Sequence, residues 1–192
     1  MLFTGFWNIS YMAKYWRHIC LAIVATGCLT FGSSNAFSEL NTYQIKSAYL
    51  YQISKFVFWP EQKKQSDYFN LCILGENTYG GNLQKMEART VFNKPIRLLS
   101  VSSYEKSADC HLLILTNPSK INSSAFQQWL SKHAVLTVAD DAEHIDKAMV
   151  AFVLENQRVR LHINIGLAKQ SGLSFAANLL EVASKVKTGD QQ

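Results

Sequence analysis

The sequence predicts an α/β fold: a single three-layer domain with a mostly parallel sheet of about six strands, an antiparallel hairpin and helices on both faces. Three observations lead to this prediction. Apolar runs and helical patterns alternate through most of the chain after residue 36. The apolar run Cys110 to Leu115 is typical of a strand that is buried on both faces. Two segments within residues 149–163 flank a short turn, which is typical of a hairpin.

The first half of the domain contains a long helix and two strands in this prediction. Apolar residues at steps of three and four predict a helix over residues 40–58, which Pro60 ends. Tyr68 to Leu74 is a short strand, and a glycine-rich turn joins it to a short helix over residues 82–89. Pro95 to Val101 is the next strand, followed by a polar loop.

The second half continues the alternation of strands and helices. Cys110 to Leu115 is the third strand, a helix is predicted over residues 121–132, and Ala134 to Val138 is another short strand. The hairpin follows over residues 149–163, because apolar and polar side chains alternate along its second arm. Leu173 to Val186 is predicted to close the chain as a helix.

The first 36 residues have the order of a secretory signal peptide. Lys14 and Arg17 give a positive start, Ile19 to Gly32 runs without a charge, and Ser34-Asn35-Ala36 is a small-x-small cleavage site. The alternative is an uncleaved anchor, although a membrane span needs about 20 apolar residues. We therefore expect export to the periplasm, with cleavage near Ala36.

Residues 37–192 are expected to form one domain, while translation could start at Met1 or at Met12. The whole chain has 19 Lys and Arg against 14 Asp and Glu. Removing the leader takes away two basic residues and no acidic one, which leaves 17 against 14 and a formal charge of +3. These charges are scattered, so the sequence predicts no nucleic-acid partner and no basic membrane patch.

The domain retains two cysteines, Cys72 and Cys110, since the other two lie in the leader. An even pair of cysteines in an exported protein is typical of a disulfide. Both lie in apolar runs that would meet if those runs were neighbouring strands. The alternative is two separate buried thiols.

A glycine-rich turn follows the first predicted strand and contains Gly75, Gly80 and Gly81. In an open α/β sheet, such a turn is a place where anions and other small ligands bind. The spacing matches neither of the common nucleotide-binding motifs. The alternative is a tight turn whose backbone needs glycine for conformational reasons.

The sequence shows no residues that would form a catalytic, cofactor-binding or metal site. His111, His133, His144 and His162 lack metal-ligand spacing, and the acidic run from Asp140 to Asp146 lacks the central glycine of a calcium loop. There is also no nucleophile elbow. We therefore expect a protein that is not an enzyme and carries no cofactor.

Aromatic residues crowd the first predicted helix and its end. A buried helix face takes about a third of the circumference, and Tyr51 and Phe58 lie off that face. Together with Trp59 they form a candidate surface for a partner or for a dimer. The alternative is that the domain wraps this helix on all sides.

The order and spacing of several short segments resemble the YfiR family of periplasmic proteins. The segments span nearly all of residues 40–186, and they are Ala48-Tyr49-Leu50-Tyr51, Phe56, Trp59-Pro60, Leu71-Cys72-Ile73-Leu74-Gly75, Cys110-His111, Leu136-Thr137-Val138, Phe152-Val153-Leu154, Val159-Arg160-Leu161-His162-Ile163-Asn164, Gly172-Leu173 and Leu179-Leu180.

The resemblance implies a small exported repressor that binds the periplasmic sensor part of an inner-membrane diguanylate cyclase and holds the cyclase inactive. It implies that an OmpA-like outer-membrane lipoprotein can capture the repressor, after which cyclic di-GMP rises and biofilm is favoured. It also implies an α/β homodimer with a disulfide at Cys72 and Cys110. The chain departs from the family pattern at Lys147-Ala148 and Ala151, where glycines are usual.

Two other functions stay open beside the repressor. A periplasmic small-ligand-binding protein would use the turn from Gly75 to Gly81. An enzyme would need His162 and Asp140 to meet a serine in a cleft of the fold.

Overall fold

A mostly parallel sheet of eight strands organises the chain in the computed structural model, which describes residues 34–118 and 121–189. The predicted α/β class is confirmed. The predicted number of strands is wrong, because two short edge strands join the six central ones and a further two-stranded sheet forms beside them. From Asn41 onward, the described residues form one compact unit.

The elements are named here in chain order. They are α1 (Ser34–Lys55), β1 (Val57–Phe58), α2 (Glu61–Lys64), β2 (Phe69–Leu74), α3 (Gly81–Gln84), β3 (Thr90–Val91), β4 (Lys94–Val101), β5 (Leu112–Leu115), α4 (Ser123–Leu130), β6 (Leu136–Ala139), β7 (Val150–Glu155), β8 (Arg158–Asn164), α5 (Ile165–Gln170), β9 (Ser174–Phe175), α6 (Ala177–Glu181) and β10 (Lys185–Lys187). Single 3-10 turns lie at Lys85–Ala88 and Tyr104–Ser107.

The sheet has the strand order β10-β8-β7-β6-β5-β2-β4-β3. The central strand β2 runs parallel to both neighbours, so that Cys72 lies opposite Leu99 on β4 and Leu113 on β5. β7 and β8 form the predicted antiparallel hairpin, and its turn residues Asn156 and Gln157 both have positive φ. The sequence pattern therefore located the hairpin correctly.

The direction of the chain reverses at β2. From β2 it crosses to β4 on one side, and then it returns to β5 on the other side. Since parallel crossovers are right-handed, connections that run in opposite directions cover opposite faces of the sheet. Ring contacts follow this division: Tyr43 of α1 packs on Tyr79 before α3, whereas Tyr104 packs on Phe126 of α4.

The long helix α1 ends at Lys55, three residues before the predicted end, and it begins at Ser34. From residue 57 onward the chain alternates between the core and solvent, with Val57 and Trp59 buried and Phe58 exposed. That alternation suits a strand, and β1 pairs antiparallel with β9. The apolar residues at the end of the predicted helix therefore form a strand of this small sheet.

The predicted C-terminal helix over Leu173 to Val186 is wrong. Gly172, at φ +74°, ends a short helix α5 that the sequence analysis left unassigned, and the chain then forms β9, α6 and β10 in turn. β10 pairs in parallel with β8, Val186 lying opposite Ile163. Pairing with two existing strands outweighs the helical spacing of the leucines and valines in this segment.

Most of the predicted signal peptide, with Met1 and Met12, lies outside the described residues. Its last three residues, Ser34 to Ala36, open α1. Within the part of the chain that the structure describes, none of the helices combines the length and the apolar character that crossing a membrane requires.

Candidate functional site

The predicted disulfide between Cys72 and Cys110 is present. Its Cα atoms are 6.0 Å apart, and it closes a segment of 38 residues. Cys72 lies in the middle of β2 and Cys110 lies just before β5, and both side chains are buried. The bridge therefore ties the central strand of the sheet to the loop that enters its neighbour.

An aromatic groove lies where β1 and the β3–β4 hairpin meet, and it encloses a cavity of about 430 Å³. Its lining combines aromatic rings with lysines and holds no described acidic residue. The lining residues are Val57, Phe58, Trp59, Lys63, Lys64, Phe69, Phe92, Lys94 and His111.

The structure brings two of the three predicted surface aromatics to this groove. Phe58 is 62% exposed, because strand alternation turns it outward. Trp59 lines the same groove, but it is only 6% exposed and packs edge-on against Phe69 at 5.6 Å. Tyr51 lies elsewhere, between the cationic groups of Lys55 and Arg89, so it is not part of the groove.

Phe92 completes the groove, although the sequence analysis did not single it out. It is 55% exposed, and its ring lies 6.0 Å from that of Trp59. Phe92 and Asn93 form the two-residue turn between β3 and β4, with φ of +52° and +62°. Turns of this kind favour Asn and Gly, and a bulky side chain in the left-handed region costs roughly 1–2 kcal/mol. An exposed ring kept in a strained backbone points to a contact role.

The lysines of the groove are anchored by backbone carbonyls. Lys63 donates to the carbonyl oxygens of Ala108 and Cys110, the latter at 2.8 Å. Lys94 donates to the carbonyls of Lys64 and Ser66. Burial lowers the pKa of Lys63 to about 8, although the charge of Asp109 acts in the opposite direction.

His111 forms the floor of the groove in its neutral form. Its Nδ1 accepts from the backbone N–H of Asn70 at 3.1 Å, so the proton lies on Nε2, which donates to the carbonyl of Lys63 at 2.9 Å. Burial lowers the pKa of His111, although its hydrogen bond to the Lys63 carbonyl acts in the opposite direction. The groove therefore presents aromatic surface with positive charge supplied by lysines.

A second cavity, which we call the crevice, lies at the carboxyl ends of β2, β4 and β5. It has a volume of about 850 Å³. Of the glycines predicted to bind a ligand, Gly75 borders it, whereas Gly80 and Gly81 do not. Gly75 has φ +110°, and a Cβ there would lie 2.3 Å from Thr116 Oγ1, so only glycine fits this close approach of two loops.

A partly buried polar network beside this turn escaped the sequence analysis. Tyr79 donates to Asp140 Oδ1 at 2.5 Å, and Lys46 of α1 donates to the same oxygen at 3.2 Å. Burial raises the pKa of Tyr79, and the charge of Asp140 adds to the effect. The three residues lie 61 and 94 positions apart in the sequence, so only the fold brings them together.

The residues considered for catalysis do not converge. Asp140 is held by Tyr79 and Lys46, while His162 Nε2 lies 3.1 Å from Glu155 on the same hairpin. Within the described residues, no three His, Cys, Asp or Glu side chains group in a way that could hold a metal ion.

A family model described as YfiR/HmsC-like matches residues 43–184. The chain belongs to the YfiR/HmsC-like family. The matched range contains both cysteines of the disulfide, the aromatic groove and the crevice. No curated protein matches this YfiR/HmsC-like chain.

Proposed function

We propose that the protein is a periplasmic regulatory binding protein that represses an inner-membrane diguanylate cyclase by binding the periplasmic sensor region of that enzyme. Membership of the YfiR/HmsC-like family carries this proposal, since the family suggests a regulator of this class. In this function the protein acts by binding and catalyses no reaction, and binding lowers the production of cyclic di-GMP.

The aromatic groove is the surface that we assign to the cyclase. Phe58 and Phe92 expose more than half of their side chains on either side of a cavity, and exposed aromatic surface is enriched at the centres of protein interfaces. Burying both rings would remove apolar area that otherwise faces water. The groove would then receive an apolar side chain of the sensor region.

The charge of the groove defines the partner further. Lys63, Lys64 and Lys94 line it, and of these Lys64 forms an ion pair at 2.6 Å with Glu61 on the exposed helix α2. The complementary surface on the sensor region would carry carboxylates around its apolar anchor. Such charges would mainly accelerate association and exclude wrong partners.

Repression follows if the protein binds one conformation of the cyclase better than the other. Moving a two-state enzyme from almost fully active to almost fully inactive requires about 5.5 kcal/mol of differential binding. A contact that buries two aromatic side chains can supply a large part of that free energy if it forms with the inactive conformation alone.

Two other partners belong to the proposal. An OmpA-like outer-membrane lipoprotein would compete with the cyclase for the repressor and release cyclase activity. The repressor itself would be a homodimer, which sedimentation of the purified protein tests directly.

The experiment is a gene deletion followed by complementation, with cellular cyclic di-GMP as the measurement. Deletion should raise cyclic di-GMP, and the wild-type gene should lower it again. The double variant F58S/F92S should accumulate normally in the envelope and fail to complement. Leu154→Ser is the matched control, because Leu154 is equally exposed but lies on β7, far from the groove in the sheet order.

Two outcomes would contradict the proposal at different levels. Unchanged cyclic di-GMP in the deletion strain under all envelope conditions would exclude the regulatory function. Complementation by F58S/F92S as complete as that by Leu154→Ser would leave the regulator in place and exclude the groove as its contact surface.

A further inference from the structure

We propose that the crevice binds a small cationic molecule that carries a primary amine, an activity separate from partner binding at the aromatic groove. The crevice lies between three loops, which follow β2, β4 and β5. Its volume of about 850 Å³ falls within the range of small-molecule sites.

The topology of the sheet creates this cavity. The loop after β2 leaves toward β4, while the loop after the adjacent strand β5 leaves toward β6 in the opposite direction. Two neighbouring strands whose loops diverge leave an opening at their carboxyl ends, and open α/β sheets bind ligands there. The crevice lies at this point of divergence.

The charged residues around the crevice indicate that a ligand would carry positive charge. Glu76, from the loop after β2, and Glu105, from the loop after β4, both line it, and no lysine or arginine of the described residues does so. Hydrogen bonds from Ser103, from its own backbone and from Tyr104 lower the pKa of the Glu105 carboxyl, which is fully exposed to solvent. An anion would meet two carboxylates, whereas an ammonium group would be attracted by both.

The remaining lining residues indicate which other groups the ligand would carry. Thr78 and Ser102 line the crevice and are exposed, so their hydroxyls can reach polar groups of a ligand. Tyr104 offers a ring that is held in place by Phe126 and Trp129, at 4.9 and 5.6 Å between ring centres. A cation close to such a ring gains a further electrostatic attraction.

The experiment titrates the purified protein with single compounds by calorimetry at low ionic strength. The amines are putrescine, spermidine and arginine, and the comparison compounds are phosphate, adenosine monophosphate and glucose. We expect saturable binding of at least one amine and none of the comparison compounds.

Variants then locate the binding. Glu105→Gln should weaken the amine by about 10-fold or more, and E76Q/E105Q should abolish binding. Ser102→Trp should block the crevice by filling it. Glu181→Gln is the matched control, since Glu181 is an exposed carboxylate on α6 that does not line the crevice. All four replaced side chains are exposed, so the variants should fold, and thermal unfolding checks this.

Three results would overturn the proposal: no amine binding up to about 10 mM, preferential binding of phosphate or the nucleotide, or equal weakening by Glu105→Gln and Glu181→Gln. The variant F58S/F92S separates this test from the proposed regulatory function, because it should lose repression and keep amine binding.

Discussion

Two lysine–aspartate pairs in the same molecule allow a sharp test of how burial decides the value of an ion pair. Lys46 and Asp140 are 3.2 Å apart, with side-chain exposures of only 13% and 17%. Lys187 and Asp146 are closer, at 2.5 Å, but they are 43% and 66% exposed. We predict that the longer, less exposed pair contributes more to the free energy of unfolding.

The expected magnitudes follow from what each substitution leaves behind. Lys46→Met leaves the partly buried Asp140 carboxylate with Tyr79 as its remaining side-chain partner, and we expect a loss of about 2 kcal/mol, below the range for a fully buried pair. Tyr79→Phe removes one hydrogen bond to a charged group and should cost about 2 kcal/mol. Lys187→Met should cost less than about 1 kcal/mol, because water solvates the exposed Asp146.

The assay is urea unfolding at pH 7, followed by circular dichroism, with the free energy and the slope compared among the three variants and the wild type. Since Lys46 and Tyr79 share Asp140, the double variant should deviate from additivity. Equal losses for Lys46→Met and Lys187→Met would refute the argument from burial, as would a loss below about 1 kcal/mol for Lys46→Met.

Three further predictions concern the groove and the disulfide. Burial lowers the pKa of His111 below 6.5, so the unfolded state binds the proton more readily than the folded state does. The contribution of His111 to the free energy of unfolding should therefore be constant above pH 6.5 and fall below it. In urea titrations from pH 8 to pH 5, His111→Gln should remove this part of the pH dependence and leave the rest. The pKa of Lys63 is lowered to about 8, so a larger share of this lysine is the neutral, reactive amine at pH 8. Acetylation with limiting reagent should therefore modify Lys63 faster than its exposed neighbour Lys64. Equal rates, measured by mass spectrometry, would contradict this. Cys72→Ser should lower the stability of the oxidised protein by up to about 4 kcal/mol, and the melting temperature of the variant should not change on adding reductant. If reductant also left the melting temperature of the wild type unchanged, the bridge would not be stabilising.

The central sheet was predictable from sequence because its strands are short apolar runs separated by polar loops. The run Leu71 to Leu74 and the run around Leu112 to Leu115 are buried on both faces, so their composition alone indicates parallel strands. The disulfide was predictable too, because the predicted leader contains two of the four cysteines and the rest of the chain holds just two. In both cases the signal is local or compositional.

The C-terminal segment was not predictable, because its sequence suits two structures. Leu179, Val182 and Val186 recur at helical spacing, yet Val186 also suits an edge strand. The choice depends on whether β8 offers a free edge, which is a property of the whole sheet. The end of α1 poses the same problem, since Val57 continues the helical pattern while pairing with β9 decides its conformation.

For the candidate sites too, the sequence indicated single residues but not how the fold brings them together. Phe58 and Trp59 were identified from their aromatic excess, but the burial of Trp59 and the participation of Phe92 depend on a hairpin with no glycine in its turn. Asn93 was the available signal, because asparagine tolerates positive φ. The crevice depends on the order of strands, so a glycine-rich turn alone could indicate only one of its three loops.

The Phe92-Asn93 turn has a consequence for engineering. Asparagine or glycine at position 92 would relax the backbone, and a half-exposed ring offers little packing to set against that gain. Selecting variants for heat tolerance alone should therefore replace the phenylalanine, whereas selecting for signalling should retain it. Comparing the variants recovered from both selections would show whether this turn lowers the stability of the fold in favour of partner binding.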